Sequence, residues 1–305
     1  MQNINTFKSG FVSIIGRPNV GKSTFLNKVV GKKIAIMSDK PQTTRNRILG
    51  VVTTDTYQIA FTDTPGIHKP ESVLDERMVK SSYDSTSGVD AILFMTTPVK
   101  KVLPGDEIIL NNLKKTKVPV YLVINKVDIL KKFNDIDLTI ALYEQIFPFQ
   151  GFFPISVKED KNVDKLMETL ANSMPFGPKF YPDDMVSDHG NRFLISELIR
   201  EKVLFATKEE IPHSVAVTVD QIQDNDEDPE YKDIFATIYV ERDSQKRIII
   251  GKQGQMIKWI KDHAKSDIRR LIDKKINLDL WVKVKKDWKD KPMDLANLGY
   301  SEDNF

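Results

Sequence analysis

Residues 16–23 read Gly16-Arg17-Pro18-Asn19-Val20-Gly21-Lys22-Ser23. This glycine–lysine–serine spacing has a mechanical meaning when it joins a strand to a helix. The apolar run Phe11–Ile15 precedes it and the amphipathic stretch Thr24–Val30 follows. The glycines let the backbone turn tightly, so that successive N–H groups and a helix N-terminus face an anion. Lys22 has the reach for terminal phosphates, and the Ser23 hydroxyl is a ligand for magnesium. Gly16, Asn19, Val20, Gly21, Lys22, Ser23 and Thr24 are therefore the candidate phosphate contacts.

The surrounding pattern fixes the fold class. Phe11–Ile15, Ile48–Thr53, Gln58–Thr62, Ala91–Thr96, Val118–Ile124 and Phe152–Ile155 read as strands. Thr24–Val30, Ser72–Ser87, Asp106–Lys114, Asp135–Phe147 and Val163–Met174 read as helices among them. Apolar strands alternating with helices predict an α/β domain with a mostly parallel sheet and helices on both faces. A length of 305 residues allows about two domains of ~150 residues. Pro175, Gly177, Pro178 and Pro182 mark a break. The expected division is 1–175, a linker over 176–190, a second domain over 191–291 and a tail over 292–305.

Two further segments sit at strand ends, where ligands bind in open α/β sheets. Asp63-Thr64-Pro65-Gly66 follows Gln58–Thr62. On its own it is a common turn; forty residues after the phosphate loop it reads as a magnesium-holding Asp63 and a Gly66 N–H directed at the terminal phosphate. Asn125-Lys126-Val127-Asp128 follows Val118–Ile124. The Asp128 carboxylate can accept from the ring N–H and exocyclic amine of guanine, and adenine lacks both donors there. A pairing of that kind rejects the wrong base strongly, because a buried acceptor would be left unmatched. Asn125 can bond the other edge of the base, and the Lys126 stem can lie along its plane. Ser156-Val157-Lys158, after the next strand, adds a backbone contact.

In this order, the motifs resemble the small GTPase domains related to translation factors. The resemblance places Gln42-Thr43-Thr44-Arg45 at the first switch, with Thr44 as the magnesium-ligating threonine and Thr43 as the alternative. The implied metal set is Ser23, Thr44 and Asp63, and the implied catalytic set is Lys22, Thr44 and Gly66. Ile67 stands where Ras-type GTPases keep a water-positioning glutamine. Slow intrinsic hydrolysis is expected, with water placed by switch backbone, a partner or a monovalent cation. Asn19 resembles the asparagine associated with potassium activation in related GTPases. His68 follows the switch and reads as loop decoration.

The second domain reads as helix Asn191–Thr207, strand Val215–Gln223, strand Ile234–Arg242, a β-rich run Arg247–Ile250, a glycine loop, helix Met256–Lys274 and strand Leu278–Lys285. The loop Gly251-Lys252-Gln253-Gly254 matches the GxxG of KH domains, whose bare backbone clamps single-stranded nucleic acid. Ile257, Ile260, Ala264, Ile268, Leu271 and Ile272 give the following helix an apolar face. Lys258, Lys261, Lys265, Arg269 and Arg270 share that helix. Residues 242–275 hold eleven Lys/Arg and four Asp, while residues 220–233 hold seven acidic residues and one Lys. The candidate RNA contacts are Ile250, Gly251, Lys252, Gln253, Gly254, Ile257, Lys258 and Lys261. Ile248–Ile250 and Ile257 fit a core role equally well. Trp281 and Trp288 read as packing residues, with stacking on RNA bases as the alternative.

The order helix–strand–strand–loop–helix–strand resembles an α+β type II KH domain. Joined to the GTPase motifs, the whole chain is similar to the bacterial Era family of GTPases. The stretches 281–288 and 295–300 fit as well; Gln253 departs from the usual GKGG loop. The resemblance implies GTP/GDP and magnesium as ligands, single-stranded rRNA at the 3′ end of 16S rRNA as partner, and a role in small ribosomal subunit maturation. It also implies a cytoplasmic monomer with some peripheral membrane contact.

Composition narrows the rivals. The absence of cysteine excludes disulfides and cysteine–zinc sites. It also removes the C-terminal cysteine of the tRNA-modifying branch. A double GTPase would need a second phosphate loop. An RNA-binding module with little hydrolysis is the alternative from another class; intact Lys22, Ser23, Asp63 and Asp128 argue against it. The polar start Met1–Gly10 is not expected to act as a signal peptide, and no apolar run reaches the ~18 residues of a membrane span.

Overall fold

The structure is a computed structural model describing residues 6–40, 42–67, 70–130 and 134–301. His68 lies outside the described residues. The chain divides into two compact units: residues 1–34, 44–69 and 78–188 form the first, and residues 35–43, 70–77 and 189–305 the second.

In the first unit β1 (Lys8–Ile15) leads through the glycine loop to α1 (Lys22–Val30). There follow β2 (Ile48–Thr53), β3 (Tyr57–Asp63), α2 (Val73–Asp84), whose residues 73–77 group with the second unit, β4 (Ala91–Thr96) and α3 (Pro104–Leu113). Then come β5 (Val120–Ile124), α4 (Asn134–Glu144), β6 (Gly151–Pro154) and α5 (Val163–Ser173). The sheet order is β2-β3-β1-β4-β5-β6. All pairings are parallel except β2 with β3. Every residue of β4 and β5 is buried, as a sheet covered on both faces requires. Ile67 is buried with Ile15, Ile92, Phe94 and Ile109, so it serves the core.

The proline-rich segment after α5 lies along this unit. Val51 N–H donates to the Val186 carbonyl at 3.0 Å. The Gln58 amide oxygen accepts from Phe180 and Tyr181 N–H at 2.7 and 2.9 Å. Phe180 packs on Phe11 with ring centroids 4.9 Å apart. Prolines stop regular structure here without freeing the chain.

The second unit contains α6 (Asn191–Ala206), α7 (Ile211–Ser214), β7 (Ala216–Asp224), β8 (Tyr231–Val240), α8 (Asp243–Ile250), α9 (Gln255–Ile272), β9 (Lys275–Val284) and α10 (Pro292–Asn297). β7 pairs antiparallel with β8, and β8 parallel with β9. Ile195, Ile199 and Val203 of α6 and Ile260, Ala264 and Ile268 of α9 cover the sheet. Trp288 is fully buried, donates to the Ser214 carbonyl at 3.0 Å and stacks on Tyr300.

One expectation fails. Residues 247–250, read as a β-rich run, belong to helix α8. Three successive isoleucines favour a strand locally, but the sides they present differ: Ile249 is buried and Ile248 is half exposed. Gln245, one helical turn before Ile249, is buried too, and its side-chain oxygen accepts from Glu241 and Arg242 N–H. Asp243 in the first turn suits the helix dipole. The glycine loop therefore joins two helices. Trp281 packs by stacking on Phe235 but is 47% exposed, which fits both of its readings.

The second unit also holds the segment leading to Thr44. The Arg200 guanidinium, buried and paired with Glu197 at 2.7 Å, donates to the Thr43 carbonyl. Met37 N–H donates to Glu201 at 2.9 Å. Gln42 bonds His213 at 2.8 Å and Asp75 at 2.8 Å.

Candidate nucleotide and RNA sites

The loop between β1 and α1 brings its residues together as the spacing requires. Gly21 has φ of +106°, a value that side chains disfavour, and a Cβ there would strike the Asn125 amide. A Cβ on Gly66 would fall 2.7 Å from Pro18, so the turn after β3 lies directly against the phosphate loop. Val20 is buried, and Ser23 and Thr24 sit half-buried in the first turn of α1.

Lys22 Nζ donates to the carbonyls of Gly16 at 3.0 Å and Arg17 at 3.1 Å. Burial lowers its pKa to about 8; Asp63 opposes that shift and Arg17 adds to it. Asp63 is fully buried, and burial raises its pKa to about 6 against the opposing pull of Lys22, Ser23, Thr64 and Thr44. The two groups form an amine and a carboxyl removed from water and short of full compensation, a state that a phosphate and a cation would relieve.

The Ser23 hydroxyl donates to Asp63 Oδ2 at 2.6 Å and lies 2.8 Å from Thr44 Oγ1. Asp63 Oδ1 is buried without a hydrogen-bond partner. Three hard oxygen donors, one of them an orphaned carboxylate oxygen, fit magnesium, which selects oxygen ligands. Thr44 is the threonine placed here; Thr43 bonds Arg200 and the Lys40 carbonyl in the other unit.

Asn125, 3% exposed, joins the phosphate loop to the loop after β6. Its amide N–H donates to the Val20 carbonyl at 2.9 Å, and its oxygen accepts from Val157 N–H at 3.2 Å. The base edge expected of Asn125 stays a proposal; the geometry adds a bracing role to it. Asp128 accepts from the Ser156 hydroxyl at 2.7 Å, which fixes the carboxylate's orientation. Lys126 adopts φ of +65° and donates to the Asn19 carbonyl at 2.8 Å. Val157 is buried and Lys158 exposed. Ser156 and Val157, the weakest sequence signal, thus hold both Asp128 and Asn125. Spacing could not reveal this, because the partners lie 28 and 32 residues apart.

In the second unit Gly251 and Gly254 have φ of +74° and +76°. A Cβ on Gly251 would meet Met256 at 2.7 Å, so only glycine permits the turn; Gly254 opens α9 with free space around it. Lys252, Gln253 and Lys258 are exposed. Ile257, Lys258 and Lys261 line a hollow of about 480 Å³ with Asp262, Asp279, Leu280 and Trp281. Ile250 packs against the core and does not line it. Lys261 pairs with Asp279 at 2.8 Å. Trp281 offers an aromatic face for base stacking; an aromatic residue in an alternating strand gave no sequence sign of which side it would take.

The raised pKa of Asp63 sets a pH dependence. Above about 6 the carboxylate is charged and attracts a cation; below it the neutral acid does not. Magnesium affinity of the nucleotide complex, followed by titration calorimetry, should fall as pH drops and Asp63 takes up its proton, more steeply than in Asp63→Asn. Wild type and variant profiles that run parallel down to pH 5 would contradict Asp63 as a ligand.

Comparison with known proteins agrees with this geometry. Residues 11–126 match the family model of 50S ribosome-binding GTPases, and residues 210–289 that of KH domains. A solved structure of a single-substitution variant of Era from Aquifex aeolicus, bound to GDP and AlF4-, is 38% identical. It covers 97% of this chain and 100% of its own, with a TM-score of 0.93. Era in complex with MgGDPNP and nucleotides 1506–1542 of 16S ribosomal RNA is also 38% identical, over 97% of this chain and 99% of its own, with a TM-score of 0.93. A P-loop GTPase domain followed by a KH domain, with that identity along nearly the whole length, places this chain in the Era family.

Proposed function

We propose that this protein binds and hydrolyses GTP with magnesium and binds single-stranded RNA at the 3′ end of 16S rRNA, acting in small ribosomal subunit maturation. The observation that carries the nucleotide half is the Asn125 amide, which locks the Lys22 loop to the loop orienting Asp128. A complex of the related Era with MgGDPNP and 16S RNA supports the choice of ligands. The ribosome-binding family model spans only the nucleotide domain, so the full-length relative weighs more on which subunit is served.

Lys22 would hold the β and γ phosphates, leaving its carbonyl partners for charged ones. Ser23, Thr44 and Asp63 would hold magnesium, which neutralises charge on the transferring phosphoryl group. Gly66 N–H, held against the phosphate loop, would face the γ-phosphate. Asp128 would read the guanine edge. Ile67, committed to the core, leaves water without a side chain from that position, so intrinsic turnover is slow and water is placed by backbone, partner or cation.

Asp128→Asn exchanges the acceptor for an amide and should move preference from GTP towards XTP by at least about a hundredfold in kcat/KM. Unchanged GTP selectivity would remove Asp128 from base recognition. Potassium near Asn19 is a separable part of the proposal: turnover should rise at least about threefold when potassium replaces sodium, and equal turnover rules it out.

RNA would meet the GxxG backbone, the N-terminus of α9 and the hollow at Ile257, with Lys258 and Lys261 near its phosphates. Lys252→Asp with Gln253→Asp changes only exposed side chains. It should weaken binding of a single-stranded 16S 3′-end oligonucleotide at least about tenfold and flatten its salt dependence. Unaltered affinity would exclude the loop.

What supports communication between the two activities is chain continuity. Thr44 would answer to nucleotide and magnesium, and the residues just before it are held by Arg200 and Glu201 of the unit carrying the KH module. Ordering or releasing Thr44 would act on a segment that the RNA-binding unit grips. We also place the protein in the cytoplasm with peripheral membrane contact; among the described residues no helix is long and apolar enough to cross a membrane.

A further inference from the structure

The phosphate loop carries a charged side chain, Arg17, to which the nucleotide reading above assigns no role. Arg17 is the second residue of the loop, and its Nε lies 2.9 Å from Asp106 Oδ1. Asp106, in the first turn of α3, is fully buried. Its other oxygen accepts from the Tyr143 hydroxyl of α4 at 2.6 Å. Thr96, at the end of β4, lies 3.0 Å from that hydroxyl and 3.5 Å from the same carboxylate oxygen. Three elements, β4, α3 and α4, thus meet at Asp106, the partner of this loop residue.

The packing is specific. A Cβ on Gly105 would come within 2.9 Å of Arg17 Cδ, so glycine beside Asp106 lets the arginine pass. Burial raises the pKa of Asp106, with Tyr143 and Arg17 pulling it back. A buried ion pair of this kind gives little net stability compared with apolar packing of equal size. Its placement suggests another use. Arg17 is drawn to Asp106 on one side by charge, without hydrogen-bond geometry between Nε and Oδ1, and presents its carbonyl to Lys22 Nζ at 3.1 Å on the other. The Arg17 charge also lowers the pKa of Lys22, so an Arg17 without its carboxylate would face the phosphate lysine uncompensated.

We propose that Arg17 and Asp106 form a positioning pair for the phosphate loop: Asp106, oriented by Tyr143 and Thr96, holds Arg17 so that the loop keeps its shape around Lys22 and retains nucleotide. The pair does not touch the reacting atoms. It rests on the nucleotide reading above, and it acts on how long nucleotide stays rather than on the chemical step.

The test measures release of fluorescent GDP from the full-length protein, with GTP turnover and thermal unfolding in parallel, for Arg17→Gln, Asp106→Asn, the double variant and Tyr143→Phe. Each of the first two should speed GDP release about tenfold, as for other residues that orient a ligand-holding group. The double variant should be no faster than the faster single, since the two act as one unit. Tyr143→Phe should show a smaller effect in the same direction, and KM should change more than kcat. Release unchanged in both singles, or effects that multiply in the double variant, would overturn the pair; so would a lower unfolding midpoint with unaltered release. Should the charge variants fail to fold, unchanged release in Tyr143→Phe overturns it alone. A wild-type chain that binds no GDP would overturn the nucleotide reading and the pair with it. Tight binding by wild type with indifferent variants overturns the pair only.

Discussion

The nucleotide-binding unit depends on one buried amide. Asn125 stands at the end of β5, and its two polar ends reach the phosphate loop at Val20 and the base-side loop at Val157. Lys126 to Asn19 and Ser156 to Asp128 also link these loops in pairs, but Asn125 is the buried side chain that touches both neighbours at once. With it, a displacement of the phosphate loop is felt where Asp128 and Ser156 sit. A buried amide that loses a partner costs about 1–3 kcal/mol, so the loops hold one another in register. The tight glycine at position 21 belongs to the same arrangement, because any side chain there would displace Asn125.

Around that brace, the groups that would meet the phosphates are kept short of solvation. Lys22, with a pKa near 8, and Asp63, near 6, are both penalised by burial and only partly relieved by each other. In the proposed nucleotide complex each would gain a partner of opposite sign: phosphate for the amine, magnesium for the orphaned carboxylate oxygen. Preorganised groups of this kind act more strongly in a dry site than in water. The hydrophobic core takes Ile67 at the position where Ras-type GTPases keep a water-positioning side chain, which is the physical ground for the proposal of slow intrinsic hydrolysis.

Much of this was legible in the sequence, because strand-end motifs impose short-range constraints. Gly16–Ser23, Asp63–Gly66 and Asn125–Asp128 occupy the ends of β1, β3 and β5, as their spacing predicted. Features set by distant partners were not legible. Ile248–Ile250 carries strand propensity, yet burial of Gln245 and Ile249 on one side makes it helical. The bracing of Asn125, the tether from Arg17 to Asp106 and the grip of Arg200 on Thr43 link residues 32, 89 and 157 positions apart. The proline-rich stretch after α5 read as a linker from composition, whereas Gln58 and Phe11 hold it against the first sheet through contacts that composition does not encode.

The central claim is that guanine nucleotide governs RNA binding within one chain. It is tested most directly by the affinity of the full-length protein for a single-stranded 16S 3′-end oligonucleotide, measured at one salt concentration with magnesium and either a non-hydrolysable GTP analogue or GDP. The account predicts at least about a tenfold difference between the two states, which is ~1.4 kcal/mol of coupling. Equal affinities would contradict it and leave the two units as independent activities on one chain.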